Sequence, residues 1–291
     1  MFPNFFGGDL SPGVEPRDCV LSYLTVQGAT PPQAIEAASC GGFGAVTIRV
    51  VPPASVHPSA AEVATMAMPR QTATCARAAA VAIADVEYVN LGPDWRLDDA
   101  HPLVDVGAEL GARCINVMGT DPDEARLTVS YGALCELAAA AGLTAALEFS
   151  AYSEVRSLDQ AQRIAAAVGG PAASVVVDAL HLARAGSGVE TVAAAVKASP
   201  DLFGALHLCD GPAIAADPTP TGLADESRQN RLLPGDGELP LAQLLRVLPD
   251  ARRYVEAPVR ASAGAPFGQR AAAAAAALRS LPTGMIEGAL R

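Results

Sequence analysis

The 291-residue chain is poor in aromatic and basic side chains, and both shortages exclude classes of function. Aromatic residues make up 4% of the chain, and there is one tryptophan. Lys and Arg number 20 against 31 Asp and Glu, so the net charge is −11. A nucleic-acid surface needs a basic face to neutralise phosphates, and anionic membranes attract basic segments. This charge balance therefore argues against both kinds of partner.

The sequence also lacks the patterns of a membrane span, a signal peptide and a zinc or disulfide framework. No window of about 18 apolar residues is free of charge and proline, so no transmembrane helix is predicted. Residues 1–10 contain phenylalanines but no basic segment, which argues against a signal peptide. The six cysteines are widely spaced without a C-x-x-C pair. Such spacing is typical of reduced, mostly buried thiols in a cytoplasmic protein.

Apolar residues, by contrast, are abundant at 51%, and their arrangement indicates an α/β fold. Short runs rich in Val and Ile alternate with Ala-rich stretches of helical period, which favours βα repeats around a parallel sheet. The predicted strands are residues 20–25, 45–50, 87–91, 114–118, 145–149, 174–178, 204–208 and 253–256. The predicted helices are residues 32–40, 60–84, 99–110, 123–141, 158–168, 189–198, 241–248 and 269–281.

Eight strand–helix pairs are the number that closes a (β/α)8 TIM barrel, whose active site lies at the C-terminal ends of the strands. No linker or shift in charge divides the chain, so we expect a single domain over residues 1–291. The longest irregular stretch, residues 209–239, follows the seventh predicted strand. We expect this loop to lie over the active-site mouth, although a solvated insertion without a role is the alternative.

Ionisable residues end the last four predicted strands, which are otherwise apolar. They are Glu148, Asp178, His207 and Glu256. A charged group at the end of a strand buried on both faces is costly unless it is paired. Three carboxylates and one imidazole form a hard site suited to Mn²⁺, Mg²⁺ or Co²⁺, with Zn²⁺ as an alternative. Each residue alone could instead cap a helix or form a salt bridge.

These residues stand within a series of short segments. The segments are L-E-F at 147–149, D-A-L-H at 178–181, L-H-L-C-D at 206–210, L-P-G-D-G-E-L at 233–239 and V-E at 255–256. Their order and spacing resemble the sugar phosphate isomerase/epimerase family, which belongs to the xylose-isomerase-like TIM-barrel superfamily. The resemblance covers residues 143–258, and the D-x-x-H and P-G-x-G segments are its most distinctive parts.

The resemblance implies roles for individual residues. The four strand-end residues are implied as ligands of one divalent metal ion. His181 and Arg231 are implied as substrate-positioning groups, and Glu154 as an acid that contacts the substrate. Such a site acidifies a C–H beside a carbonyl and stabilises the resulting enediolate. Glu148 and Glu256 could then act as base and acid on opposite sides of the substrate.

The expected activity is that of a metal-dependent isomerase or epimerase on a keto-sugar or polyol-like substrate. Few basic groups occur in the N-terminal strand-end loops, where Arg49 is the main candidate, so an unphosphorylated substrate is favoured. A lyase of the inosose or dehydroshikimate dehydratase type could use the same site. A non-catalytic barrel with a relic metal site is a further alternative. A DNA-repair endonuclease of this barrel type is disfavoured by the acidic charge and by the presence of only four histidines.

Three further features are left with two interpretations each. Trp95 could wall the substrate pocket or pack on the surface as an aromatic residue. Asp210 could orient His207 or serve as a turn residue. Phe2, Phe5 and Phe6 could cover a pocket or contribute to a homo-oligomer contact.

Overall fold

Eight parallel strands form a closed barrel in the computed structural model, which describes residues 14–51 and 57–281. Each strand pairs with the next along the chain, and β8 pairs back onto β1 through Val20 and Tyr254. Helices connect the successive strands, as the parallel pairing requires. The predicted TIM barrel is confirmed.

The strands are β1 Cys19–Leu21, β2 Ala45–Arg49, β3 Ala82–Leu91, β4 Cys114–Gly119, β5 Thr144–Glu148, β6 Ala173–Asp178, β7 Ala205–Leu208 and β8 Arg252–Val255. The helices are α1 Pro31–Gly41, α2 Ala60–Ala67, α3 Pro69–Ala79, α4 His101–Glu109, α5 Glu124–Ala140, α6 Leu158–Val168, α7 Ala179–Arg184, α8 Val189–Ala198, α9 Pro220–Gln229, α10 Leu241–Val247 and α11 Phe267–Ser280.

The prediction of one helix over residues 60–84 is wrong in two ways. Met68 adopts a left-handed conformation with φ of 46°, and Pro69 then begins a second helix. Proline has no backbone N–H to donate, so it ends one helix and suits the first position of the next. The end of the predicted segment is strand instead, because Ala82 pairs with Ala45 of β2. Sheet pairing here overrides the helical preference of the alanines.

The stretch at residues 209–239 is less irregular than predicted. It contains α9, which begins after Thr219, whose side-chain oxygen accepts a hydrogen bond from the Gly222 amide. This cap and the proline at the first position of the helix are local start signals. The polar composition of the helix conceals them in the sequence.

The barrel interior holds an apolar layer that positions the functional residues. Its buried members come from six strands and are Val20, Ala84, Ala146, Val176, Ala205 and Tyr254. Side chains two residues apart on a strand point to the same face. The residues two positions after the last four members therefore also point into the barrel, one step closer to the C-terminal ends.

Thr25 links the ends of the sheet where the barrel closes. Its buried hydroxyl donates to the Val255 carbonyl at 2.8 Å and accepts from the Ala257 amide at 2.9 Å. The Ser22 amide also donates to the Val255 carbonyl. These bonds fix the backbone on both sides of residue 256.

Several other sequence expectations can be compared with the described part of the chain. Among residues 14–51 and 57–281, no helix has the length and apolar character needed to cross a bilayer. All six cysteines fall within these ranges and are free thiols. Phe2, Phe5 and Phe6 lie outside the described residues.

We expect Thr25→Val to lower the free energy of unfolding by about 1–3 kcal/mol, because the buried Ala257 amide loses its acceptor. Thr65→Val is the matched control, since the Thr65 hydroxyl bonds only to the Ala61 carbonyl on an exposed helix face. The control should change stability by less than about 0.5 kcal/mol. Urea unfolding measures both variants, and equal effects would contradict a closing role for Thr25.

Candidate metal centre and active site

The four predicted ligands converge at the C-terminal end of the barrel. Glu148 and Asp178 end β5 and β6, His207 lies within β7, and Glu256 directly follows β8. Each residue offers one potential ligand atom, and these four atoms all lie within 4.8 Å of one another. Each residue stands two positions after a member of the apolar interior layer, so strand alternation directs all four side chains to one point.

The separations within this cluster suit a shared divalent ion. The His207 Nδ1 atom is 3.6 Å from Glu148 Oε1, 3.8 Å from Asp178 Oδ2 and 3.5 Å from Glu256 Oε2. Ligand atoms bound about 2.1 Å from a common ion lie roughly 3–4 Å apart.

Two of the ligand atoms are also without a partner. Glu148 Oε1 and His207 Nδ1 are buried and form no hydrogen bond within the described parts of the chain. Buried polar atoms are nearly always satisfied in folded proteins, so each such exception calls for an explanation. A bound cation would satisfy both atoms, and the residues therefore fit a divalent metal.

Crowding of negative charge shifts the acidities within the cluster. Burial raises the pKa of Glu148, and the neighbouring charge of Glu256 raises it further. Burial acts to lower the pKa of His207, but the carboxylates of Glu256, Glu148 and Asp178 raise it to about 10. The cluster therefore stabilises positive charge, whether it is a proton on the imidazole or a metal ion.

Arg231 supplies part of that positive charge from within the protein. Its side chain is 1% exposed, with Nη1 2.5 Å from Asp178 Oδ2 and Nη2 3.1 Å from Glu256 Oε2. Burial acts to raise the pKa of both carboxyl groups, but the Arg231 guanidinium and the His207 imidazole together outweigh it and hold both pKa values below their usual range. Arg231 thus contacts two of the candidate ligands and also borders the adjoining cavity.

A tight turn holds Arg231 in place. Asp210 pairs with Leu232 through backbone hydrogen bonds of 2.9 and 2.8 Å, directly beside Arg231. The Asp210 carboxylate accepts from the amides of Gly235 and Leu239, both at 2.9 Å. A Cβ at Gly237 would lie 2.5 Å from the Gly211 carbonyl, so the turn requires glycine there. These contacts support the interpretation of Asp210 as a turn residue.

His181 lies next to the cluster because Asp178 begins helix α7. Asp178 Oδ1 accepts from the His181 amide at 2.9 Å, which leaves Oδ2 for the cluster. His181 Nε2 is 4.0 Å from Glu148 Oε1. Burial lowers the pKa of His181 to about 4, so the ring is neutral at physiological pH. A neutral imidazole at this position can exchange hydrogen bonds with a substrate hydroxyl.

A cavity of about 270 Å³ opens beside the cluster. Its lining residues come from all eight strands or the segments that follow them, and two of these residues lie in α9. They are Leu24, Gln27, Arg49, Glu87, Tyr88, Asn116, Met118, Glu148, Tyr152, His181, Ser227, Arg228, Arg231 and Glu256. The cavity is large enough for a small sugar or hydroxy acid, and two candidate ligands form part of its wall.

A family model described as the xylose isomerase-like TIM barrel matches residues 42–281. This chain belongs to that family. No curated protein sequence shows significant similarity to the chain. Similar solved structures do exist, and all of those compared below are less than 25% identical to it. They therefore show a shared fold.

Three of these structures illustrate the range. One is a xylose isomerase-like TIM barrel/4-hydroxyphenylpyruvate dioxygenase fusion protein (22% identity, TM-score 0.71), for which the match covers 88% of this chain and 41% of that chain. The second is the IOLI protein with a bound zinc atom (16% identity, TM-score 0.70), for which the match covers 89% of this chain and 95% of that chain. The third is the D-allulose 3-epimerase from Methylomonas sp. (15% identity, TM-score 0.63), for which the match covers 91% of this chain and 96% of that chain.

Two site residues predicted from the sequence lie elsewhere in this xylose isomerase-like barrel. Trp95 sits in a separate small depression with Val51 and Leu103, packed against the core. The Glu154 carboxylate pairs with Arg156 at 3.2 Å. The Glu154 amide donates to the Gly119 carbonyl, and Tyr152 borders the cavity in this loop. Neither Trp95 nor Glu154 is among the described residues that line the cavity.

Sequence reasoning also missed several residues that line the cavity. Glu87 lies within β3, where the predicted strand began too late to reveal its alternation. Tyr152, Ser227 and Arg228 follow strands at a distance, in segments with no periodic signal. The hydroxyl of Tyr152 bonds to Ser227 at 3.0 Å, which joins the loop after β5 to α9. That pairing depends on how the loops fold together and leaves no mark on the sequence.

We expect Arg231→Met to lower the free energy of unfolding of chelator-treated protein by about 3–5 kcal/mol, because two buried carboxylates lose their counter-charge. Arg260→Met is the matched control, since Arg260 forms an exposed ion pair with Asp225. The control should lose at most about 1 kcal/mol. Denaturant titration compares the two, and a small effect at Arg231 would show that its positive charge is dispensable.

Proposed function

We propose that this protein is a divalent-metal-dependent isomerase or epimerase of small keto-sugar or polyol-like substrates. The observation that carries the proposal is the convergence of three carboxylates and one imidazole on a substrate-sized cavity, with two buried ligand atoms that have no partner among the described residues. Glu148, Asp178, His207 and Glu256 would hold the ion. A bound divalent ion polarises a carbonyl and the adjacent hydroxyl and stabilises the negative charge of an enediolate.

Glu148 and Glu256 carry the proposed proton transfer. Both line the cavity, and they stand three strands apart around the barrel mouth. A carboxylate on one side can remove a proton from carbon while the other returns a proton to the opposite face, which gives epimerisation. Return of the proton to the neighbouring carbon gives isomerisation. Both outcomes use the same two side chains.

His181 and Arg231 position the substrate in this proposal. The neutral His181 ring borders the cavity and can bind a substrate hydroxyl. Arg231 keeps Asp178 and Glu256 ionised, and therefore competent as metal ligands. Family membership and the fold shared with a D-allulose 3-epimerase and a zinc-bound protein support the proposal. We assign no substrate contact to Trp95 or Glu154.

A lyase is the second candidate, and Glu87 is the observation that favours it. This buried acid lines the same cavity, and burial raises its pKa to about 8 despite the nearby Arg49. A carboxyl group that retains its proton at neutral pH can donate it to a departing hydroxyl. Loss of a β-hydroxyl from the enediolate would then give dehydration.

We expect protein purified without chelator or affinity metal to contain about one Mn, Mg, Co or Zn ion per chain. Glu148→Gln should lose most of this metal, because an amide oxygen is a weaker ligand than a carboxylate. Glu190→Gln, on the exposed surface of α8, is the matched control and should keep its metal. Mass spectrometry of the metal content measures all three proteins. Absence of metal even after soaking with these ions would contradict the proposal.

We expect the metal-loaded protein to exchange substrate C–H hydrogen with D₂O in a panel of ketoses and inososes. Glu256→Gln should lower the rate by about 10²–10⁴-fold through loss of an acid/base group. Proton NMR follows the exchange, with metal content measured on the same samples. Accumulation of a product that has lost one water would identify the lyase. Wild-type exchange in Glu256→Gln that still binds metal would contradict the two-carboxylate mechanism.

A further inference from the structure

A single cation stands on the cavity wall formed by β2 and β3, away from the candidate metal ligands on β5 to β8. Arg49 is the last residue of β2 and lines the cavity. Its Cζ atom lies 5.0 Å from the centroid of the Tyr23 ring and 4.7 Å from that of Tyr88. Aromatic rings stabilise a guanidinium ion while leaving its N–H groups free of strong acceptors.

The N–H donors of Arg49 are under-used. Its Nε atom is buried without a hydrogen-bond partner within residues 14–51 and 57–281. The nearest acidic group is the carboxyl of Glu87, but its Oε2 atom is 3.7 Å from Arg49 Nε, which is too far for a hydrogen bond. Arg49 therefore has charge and donors available for a ligand.

Other arginines of the same protein show what a satisfied guanidinium looks like. Arg184 donates to both carboxylate oxygens of Glu226 at 2.7 Å. Arg231 donates through Nε to the Ser227 carbonyl at 2.7 Å, through Nη1 to Asp178 Oδ2 and through Nη2 to the Ser227 hydroxyl at 3.1 Å. Arg49 has neither arrangement. Its side chain is 18% exposed, so most of it is shielded from the water that could otherwise satisfy its donors. Because no described residue accepts from them, its N–H donors point to an acceptor that arrives with the substrate.

The barrel order separates Arg49 from the metal ligands. β2 is two strands from β8 and three strands from β5 around the closed barrel. The cavity of about 270 Å³ is lined by Arg49 as well as by Glu148 and Glu256, which belong to different segments of the barrel. A small molecule held at the metal cluster by its carbonyl end would present its far end to Arg49.

We propose that Arg49 binds a carboxylate at the end of the substrate remote from the metal cluster, so that the substrate is a small sugar acid. This assignment rests on the proposed function. A planar carboxylate matches the fork of a guanidinium ion and accepts two parallel hydrogen bonds. A phosphate group fits less well, because it usually recruits further basic groups or a helix N-terminus. Among the described lining residues, Leu24 and Gln27 follow the neighbouring strand β1, and Glu87 and Tyr88 lie on the neighbouring strand β3. None of these four residues is basic.

Three ligands that differ only at C6 test the proposal: D-fructose, D-fructuronate and D-fructose 6-phosphate. Calorimetric titration of Mn²⁺-loaded protein measures their affinities for the wild type, Arg49→Gln and Arg49→Lys, with Arg260→Gln as an exposed control. We expect the wild type to bind fructuronate roughly tenfold or more tightly than fructose. Arg49→Gln should remove this preference by lowering fructuronate affinity much more than fructose affinity, while Arg49→Lys should retain part of it. Arg260→Gln should behave like the wild type.

Several results would overturn the assignment. They are equal wild-type affinity for the three ligands, tightest binding of the phosphate, and a fructuronate preference that survives Arg49→Gln. An equal loss of affinity for all three ligands in Arg49→Gln would indicate a structural role and would also overturn it. Metal content and thermal unfolding are measured on the same samples. Failure to bind metal would contradict the proposed function itself, whereas metal-loaded protein without the preference contradicts only the role of Arg49.

Discussion

Three carboxylates buried around one point are the constraint on which the functional end of the barrel depends. Negative charges this close repel one another, and burial removes the water that would screen them. Arg231 compensates part of the charge from one side, with direct contacts to Asp178 and Glu256. His207 stands between the carboxylates, with its pKa raised by them. The unpaired Glu148 oxygen and His207 nitrogen mark where one more cation fits.

The surrounding structure holds this arrangement in place through local devices. Asp178 uses one oxygen to begin α7 and the other to contact Arg231. Asp210 fastens the glycine turn that follows Arg231, and Thr25 fixes the backbone on both sides of Glu256. A buried apolar layer within the barrel lies directly beneath the cluster. Each ligand therefore lies on a rigid strand end, as a preorganised site requires.

The cavity has two walls of different chemistry. One carries two of the candidate metal ligands with His181 and Arg231, and the other carries Arg49 between two tyrosines beside Glu87. The first wall suits the chemistry at a carbonyl carbon, which the ligand set alone does not direct to one product. In our proposal, Arg49 on the second wall binds the opposite end of a small substrate. Substrate choice would then depend on β2 and β3, the half of the barrel in which the sequence carries no distinctive motif.

Sequence patterns alone predicted the barrel and the convergence of four ionisable residues at its strand ends. Each of these residues ends an apolar run, so Glu148, Asp178, His207 and Glu256 could be placed at the strand ends from local patterns. Break signals such as Met68 before Pro69 and the capped start of α9 were also local, but alanine-rich or polar composition concealed them.

Only the tertiary structure decided which loop residues reach the cavity. Arg231 is buried on two ligands, Tyr152 borders the cavity in the loop that holds Glu154, and Trp95 packs elsewhere. Loop side chains have no fixed period, and their direction follows from contacts between residues far apart in the chain, such as Tyr152 with Ser227. The environment of Arg49 likewise needs three neighbouring barrel segments to come together, which no stretch of the sequence contains.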